Sequence, residues 1–201
     1  MSGEPSNLIS MIAGDSASSA ISGNIFNKLI KYDKNLELAP EITEKWTISS
    51  DQKTITFYLK KNLKWSDGHD LTSEDVLFTW KLVTDDKTRT PYGSDYKLVD
   101  KAEVPDLHTF RVVYKKAYAP ALDSWATLQI LPKHILKDED INRTFFSRKP
   151  VGSSYYKLAN WVNGEKLTLE ASSSSVMGEP NISKLTSRFI PDTSSQFLEL
   201  I

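Results

Sequence analysis

The sequence contains no cysteine. This excludes disulfide bonds, thiolate metal ligands and a cysteine nucleophile, and it is compatible with an oxidising or a reducing compartment. No hydrophobic run approaches the length of a membrane span, and the first ten residues lack the basic and apolar regions of a signal peptide. We therefore expect no direct insertion into a membrane and no export signal within this chain.

Neither charge sign dominates, because 25 basic residues are balanced by 26 acidic ones. A nucleic-acid-binding protein usually carries a basic excess, so we expect no nucleic-acid partner. The 201 residues, of which 39% are hydrophobic, are enough for one sizeable core or two small ones. The composition therefore predicts a folded protein.

Residues 65–76 carry the clearest local signal. Asp67 and Gly68 form a turn dipeptide, because glycine accepts positive φ and aspartate bonds nearby amides. Thr72 and Asp75 then have the N-cap and N3 spacing of a capping box. This pattern predicts a turn followed by a helix from Ser73 to about Val83.

Further periodic runs predict a mixture of helices and strands. A first helix is expected over residues 15–31, with Asp15 or Ser16 as its cap. Strands are expected at 47–49, 54–59, 108–115, 165–170 and 184–189, and weaker helical signals lie at 119–125 and 133–136. Four serines at 172–175 are interpreted as a solvated linker between the last two strands.

The end of the sequence predicts the start of another helix. Thr193 and Gln196 have capping-box spacing, and apolar residues follow them up to Ile201. Isolated helices shorter than roughly 12 residues are marginal. We therefore expect the natural protein to continue beyond this point.

Candidates for catalysis are few. His69 lies between Asp67 and Asp70, which suggests a metal site or a hydrolase that uses these three residues. Catalytic zinc normally needs three protein ligands, however, and the other histidines, His108 and His134, lie in unrelated stretches. We interpret His69 as a solvated loop residue and expect no enzyme, no metal and no cofactor, with the hydrolase as an alternative.

Tyr92 is a candidate ligand contact. It follows Pro91 in a polar loop, where the periodicity of a core does not require an aromatic residue. Aromatic residues in loops on a rigid scaffold are common binding elements.

Several blocks of the sequence together resemble the extracellular solute-binding proteins of the peptide/nickel class (family 5), which deliver ligands to ABC importers. The blocks are residues 25–29, 38–46, 65–76, 130–134, 150–152 and 188–192. Each block is weak by itself, but their order and spacing are specific. The resemblance implies a mixed α/β fold, with a partial lobe of the type II periplasmic-binding-protein kind and an inserted α+β domain.

The resemblance also implies a division of the chain and a site. Residues 1–31 and 151–201 would belong to the first lobe, 32–150 would form the inserted domain, and the second lobe would be absent. In oligopeptide-binding relatives the segment before the first helix pairs with an extended peptide, which corresponds to Gly14, Asp15 and Ser16. A tyrosine of the inserted domain also contacts ligand, and Tyr92 matches it.

The implied partners are a peptide or small solute and, for the whole protein, the membrane permease of an ABC importer. The implied location is the periplasm or the extracellular face of a bacterial membrane. One lobe supplies half of the contacts, so we expect this chain alone to bind peptides weakly or not at all. A stand-alone protein-interaction domain formed by residues 32–150 is the other alternative.

Two stretches depart from the family pattern. Ser154 and Tyr155 stand where relatives commonly have Gly-Pro, and residues 172–176 replace a stretch that usually reads Asn-Pro-Asp-Tyr-Phe. Serines in place of aromatic residues would make a cut surface more soluble. Our hypothesis from these substitutions is an engineered or excised fragment.

Overall fold

A computed structural model describes residues 1, 3–175 and 177–198, which form helices and three antiparallel sheets. The helices are α1 (Ser16–Ile25), α2 (Ser73–Thr84), α3 (Gly93–Tyr96), α4 (Ala121–Thr127), α5 (Lys133–Leu136) and α6 (Thr193–Leu198), with a 3-10 turn at Phe145–Ser147. The strands are β1 (Ile30–Tyr32), β2 (Leu38–Pro40), β3 (Thr43–Ile48), β4 (Thr54–Leu59), β5 (Val99–Asp106), β6 (Thr109–Tyr114), β7 (Tyr156–Val162), β8 (Lys166–Ala171) and β9 (Lys184–Arg188). The expected mixture of helices and strands is confirmed.

The largest sheet has the strand order β3-β4-β6-β5, and aromatic residues form its core. Phe57 and Phe110 are cross-strand partners with ring centroids 6.4 Å apart. Trp125 from α4 packs on both rings, at 5.9 and 5.3 Å, and its indole N–H donates to the Tyr114 hydroxyl at 2.9 Å. Stacked and edge-on aromatic pairs bury large areas, so α4 is fixed to the sheet.

Helix α2 begins with the predicted capping box. The Thr72 side chain accepts from the amide of Glu74, and the Asp75 carboxylate accepts from the amide of Thr72 at 2.9 Å. The same carboxylate accepts from the amide of Lys133 at 2.8 Å, which ties the start of α2 to the start of α5. Burial raises the pKa of Asp75, and the bonds from the two amides act in the opposite direction.

The predicted first helix is right at its start and wrong at its end. Asp15 is the N-cap, but α1 ends at Ile25, and Ile30–Tyr32 pairs as a strand instead. The carbonyl oxygen of Ile25 accepts from the amides of both Ser153 and Ser154 at 2.9 Å. The carbonyl is therefore bonded to a distant segment, which the helical periodicity of the sequence could not reveal.

Gly152 allows this contact. A Cβ at this position would overlap the Ile25 carbonyl oxygen and lie 2.5 Å from the Ile25 Cγ2 atom. The carbonyl of Gly152 accepts from the amide of Ser66 at 2.8 Å, and its own amide donates to the Ser66 hydroxyl at 3.2 Å. We call the set formed by Ile25, Ser66 and Gly152 the junction, because it joins the end of α1, the turn before α2 and the segment before β7.

Asn27 extends the junction into the core. It is fully buried, its amide donates to the Ser153 hydroxyl at 3.2 Å, and its carbonyl accepts from the amide of Ile130 at 2.9 Å. Its side-chain nitrogen donates to Glu41 Oε1 at 2.9 Å. Asn27 Oδ1 and Glu41 Oε2 have no hydrogen-bond partner among the described residues, and burial raises the pKa of Glu41. A proton on Glu41 would supply a donor for this pair of side chains.

Other parts of the predicted secondary structure need correction. Strands β1, β2, β5 and β7 were not predicted. Strand β5 contains Pro105 and several charged residues, as edge strands do. Ser172 of the serine run is buried, and its amide donates to the carbonyl of Tyr155 at 2.8 Å, so it is not solvated. At the start of α6 the amide of Ser195 bonds the Asp192 carboxylate, whereas residues 199–201 lie outside the described residues.

The junction predicts that Gly152→Ala is destabilising. The new methyl group has no room beside the Ile25 carbonyl, so we expect a loss of about 1–3 kcal/mol in the free energy of unfolding. Urea denaturation measures this loss. Gly3→Ala is the control, because nothing lies within 4 Å of a Cβ there, and an equal effect of the two substitutions would contradict the role of Gly152.

Glu41 predicts a pH-dependent difference in stability. In the folded state the pKa of Glu41 is raised above the ordinary 4.5, so the folded state binds the proton more tightly than the unfolded state. Wild-type stability therefore falls as the pH rises from 4.5 through the raised pKa. Glu41→Gln keeps a neutral donor at all pH values. We expect the variant to gain stability relative to wild type between pH 4 and pH 8, measured by denaturation. Exposed Glu44, changed to Gln, is the control, and a difference that stays constant with pH would disprove the assignment.

Candidate ligand-binding cavity

A cavity of about 340 Å³ lies where α1, the loop before α3 and the segment after α4 meet. Its lining comes from distant parts of the sequence: Ser10, Met11, Ser19, Gly23, Lys28, Val83, Tyr92, Tyr96, Thr127, Leu128 and Gln129. This volume is at the lower end of the range of small-molecule sites. The mixture of apolar walls with a few polar groups is also typical of such sites.

One wall of the cavity is the exposed face of α1. Ser16, Ser19 and Gly23 are exposed and are spaced by three and four residues, so they share one side of the helix. The nearest atom to a Cβ at Gly23 would be Gln129 Nε2, at 4.0 Å. Small side chains on this face leave the helix backbone open to close approach by a ligand.

Tyr92 forms part of the opposite wall. Its side chain is 44% exposed, and its amide donates to the Thr90 hydroxyl at 3.1 Å. A Cβ at Gly93 would lie 2.9 Å from the Val83 carbonyl oxygen, so the loop packs closely on the end of α2. Tyr92 is therefore an exposed ring on a well-supported loop.

Tyr96 lies deeper in the same wall and has a structural hydrogen bond. Its hydroxyl donates to the carbonyl of Ser124 at 2.7 Å, and burial raises the pKa of this tyrosine. The phenol stays neutral, and its bond to α4 fixes the wall.

Gln129 is a polar residue of the cavity lining with an unpaired side-chain atom. It is 8% exposed, and its Oε1 atom is a buried acceptor without a hydrogen-bond partner among the described residues. An isolated β-bridge pairs it with Lys28, whose side chain also lines the cavity. An unsatisfied buried acceptor is costly. The Nε2 atom of the same side chain lies nearest to Gly23, on the α1 side of the cavity.

The three predicted residues before the first helix lie at the start of α1 and outside the cavity lining. The Asp15 carboxylate accepts from the Ser18 amide and hydroxyl, both at 2.7 Å, and from the Ser6 hydroxyl at 2.6 Å. Burial alone would raise the pKa of Asp15, but these hydrogen bonds outweigh it and lower the pKa. Gly14 is exposed with open space around it, and Ser16 shares the face of Ser19.

Tyr92 is the one lining residue that the sequence interpretation named, and Gly23 and Gln129 are two of those that it missed. Gly23 was interpreted as a weak point of the predicted helix. Its spacing of seven residues, or two helical turns, from Ser16 puts both on one face of the helix and could have identified it. Gln129 is a polar residue within an apolar run, Leu128 to Leu131, and that contrast was the available signal.

His69 and His134 come together in the fold, which corrects the prediction that they lie in unrelated places. His69 and His134 stack with ring centroids 4.1 Å apart, and both approach the Asp67 carboxylate. Asp70 pairs instead with Lys64 at 2.5 Å, so the combination proposed for a hydrolase is divided.

The sequence of the chain is similar to that of known proteins. Residues 37–201 match the family model described as bacterial extracellular solute-binding proteins, family 5 middle. The oligopeptide-binding protein AppA of Bacillus subtilis is 31% identical over 206 residues, which cover 98% of this chain and 37% of AppA. The chain therefore spans just over a third of that relative.

Solved structures give the same result. The structure of AppA from B. subtilis in complex with a nonapeptide has a TM-score of 0.94 at 27% identity, covering 100% of this chain and 41% of that one. The binding protein AgaA from A. tumefaciens R10, in complex with agropinic acid, has a TM-score of 0.91 at 26% identity, covering 99% of this chain and 40% of AgaA. The predicted periplasmic-binding-protein fold class is confirmed.

None of the helices among the described residues combines the length and the hydrophobicity that crossing a bilayer requires.

The cap at Asp15 predicts a stability effect that is separate from ligand binding. Asp15→Ala removes the acceptor at the start of α1, so we expect a loss of about 1 kcal/mol near pH 7. The lowered pKa means that this contribution is lost as the pH falls through the folded-state value, so the loss should shrink near pH 3. Urea denaturation at both pH values measures it. Asp15→Ser retains a cap acceptor and should recover part of the stability, whereas an Asp15→Ala variant as stable as wild type would disprove the capping role.

Proposed function

The chain belongs to the bacterial extracellular solute-binding proteins of family 5, and we propose that it forms one wall of the cleft in which a receptor captures peptides or similar small solutes for an ABC importer. The observation that carries this proposal is the cavity between the exposed face of α1 and Tyr92. Tyr92, which the sequence suggested, lines this cavity opposite α1, whereas Gly14, Asp15 and Ser16 lie outside its lining.

The cavity suits the backbone of an extended peptide. The small residues of α1 allow close approach, and Gln129 is a polar residue of the lining beside this helix. Tyr92 supplies an aromatic surface of which 44% is exposed. Groups that every peptide possesses would account for binding with little dependence on sequence.

Gly14, Asp15 and Ser16 belong to the proposal in different ways. Ser16 lies on the helix face that lines the cavity, and its proposed role is to contact a ligand longer than the cavity. Gly14 has open space around it, so its backbone is accessible. Asp15 already accepts three hydrogen bonds, so its proposed role is to hold the start of α1 in place.

The proposed domain division puts residues 1–31 and 151–201 in the first lobe and residues 32–150 in an inserted domain. Two of the sheets support the division, since β3 to β6 lie wholly within 32–150 and β7 to β9 wholly within 151–201. The two-stranded sheet of β1 and β2 crosses the boundary between residues 31 and 32. The junction joins the two parts, and the cavity has lining residues from both.

The remaining proposals concern the whole protein. Family membership and the names of the relatives support a location outside the cytoplasmic membrane and a permease of an ABC importer as the partner. They also favour a receptor without catalytic activity. A site with one wall supplies part of the contacts of a closed cleft, so we propose that this chain by itself binds weakly.

An NMR titration of the isotope-labelled chain with peptides of two to eight residues tests the proposal. We expect amide shifts at Ser19, Gly23 and Gln129, with a dissociation constant weaker than micromolar. Tyr92→Ala should reduce these shifts, because it removes the exposed aromatic wall. Tyr32→Ala is the matched control, since Tyr32 is 43% exposed and lies outside the cavity lining.

Three outcomes would count against the proposal. Shifts confined to another surface would place the site elsewhere. Micromolar or tighter affinity would contradict the weakness of a single wall. A stoichiometric complex with a protein partner, without any response to peptides, would favour a stand-alone interaction domain.

A further inference from the structure

Three side chains that can bind metals converge on one point outside the cavity. The Asp67 Oδ2 atom lies 2.8 Å from His134 Nε2 and 3.3 Å from His69 Nδ1. All three ligand atoms lie within 4.8 Å of one another. Asp67 and His69 come from the turn before α2, and His134 comes from α5, so the fold brings together residues that are far apart in the sequence.

The distances match those between neighbouring ligands of a transition metal. With bonds of about 2.0–2.1 Å, two ligand atoms lie about 2.9 Å apart at a right angle and about 3.3 Å apart at the tetrahedral angle. The two distances from Asp67 Oδ2 are close to these values. The rings of His69 and His134 are stacked, so the exposed His69 side chain would have to turn before both imidazole nitrogens could point at one ion.

The backbone holds the turn that supplies two of the ligands. The second carboxylate oxygen of Asp67, Oδ1, accepts from the amide of His69 at 3.1 Å, which leaves Oδ2 directed at the histidines. Gly68 has φ of +91°, a conformation that glycine accepts readily, and its amide donates to the Trp65 carbonyl at 2.9 Å. The amide of Trp65 in turn donates to the carbonyl of His69 at 2.9 Å. The turn is thus closed by its own hydrogen bonds.

The electrostatic surroundings are compatible with a cation. The nearby Lys64 pairs with Asp70 at 2.5 Å, and Lys133 pairs with Glu74 at 2.7 Å. Acidic partners thus offset the positive charges of these two lysines beside the site.

We propose that Asp67, His69 and His134 bind one divalent transition-metal ion, such as Zn²⁺, Ni²⁺ or Cu²⁺. Two imidazoles and one carboxylate suit these ions, whereas Mg²⁺ and Ca²⁺ prefer oxygen ligands alone. An open cavity of about 410 Å³ adjoins the histidines, which leaves coordination positions accessible to water. None of the three residues lines the cavity at Tyr92, so this site is independent of the proposed ligand capture.

Calorimetric titration of the chain, without a polyhistidine tag, with Zn²⁺ tests the proposal. We expect one equivalent to bind. We also expect His69→Ala to weaken the affinity at least tenfold, since even the loss of a supporting group around a metal typically costs about 10–100-fold. A metal that binds only the folded state also raises the melting temperature, by about 5–10 °C at a hundredfold excess over the dissociation constant.

The control is His108→Ala, because the ring of His108 is not one of the converging groups, and it should leave the affinity unchanged. His69 is exposed and its replacement should not disturb folding, whereas His134 packs near Trp65 with ring centroids 6.3 Å apart. Asp67→Asn is the second variant and should also weaken binding. No saturable binding of Zn²⁺, or equal affinities of wild type and His69→Ala, would overturn the proposal.

Discussion

The carbonyl group of Ile25 is the point on which the arrangement of the chain depends. It would have continued α1, but it accepts two amides from the segment that leads into β7. Gly152 permits the close approach, and Ser66 bonds both polar backbone groups of this glycine. Buried backbone groups need partners, so the set of bonds fixes three distant segments at once.

The cavity depends on the same junction through Asn27. The carbonyl of Asn27 bonds the amide of Ile130, and the next residues on each side, Lys28 and Gln129, form the β-bridge that lines the cavity. Burying Asn27 and Glu41 has a cost, which appears as two unpaired oxygens and a raised carboxyl pKa at Glu41. The backbone bond between Asn27 and Ile130 holds Lys28 and Gln129 in position, and these two residues form part of the cavity wall on which a ligand would rest.

The local signals in the sequence predicted local structure well. The capping box at Thr72, the cap at Asp15 and the alternation of β4 were all found where they were expected. Each depends on residues within a few positions of one another, so the sequence contains the whole interaction. The charged edge strand β5 and the early end of α1 were missed, because pairing with a neighbouring strand decides the first and two distant amides decide the second.

The candidate site shows the same limit. Tyr92 could be selected from the sequence because it is an aromatic residue in a polar loop, whereas Gln129 lay in an apolar run and was passed over. The turn at Asp67 was read as structural, and His134 was set aside as unrelated because 67 residues separate the two. The sequence by itself determined the family, the helix caps and most strands, since order, spacing and short-range hydrogen bonds carry them. Only the tertiary structure decided which residues share the cavity and which three converge on Asp67 Oδ2, because contacts between distant segments depend on how the elements pack.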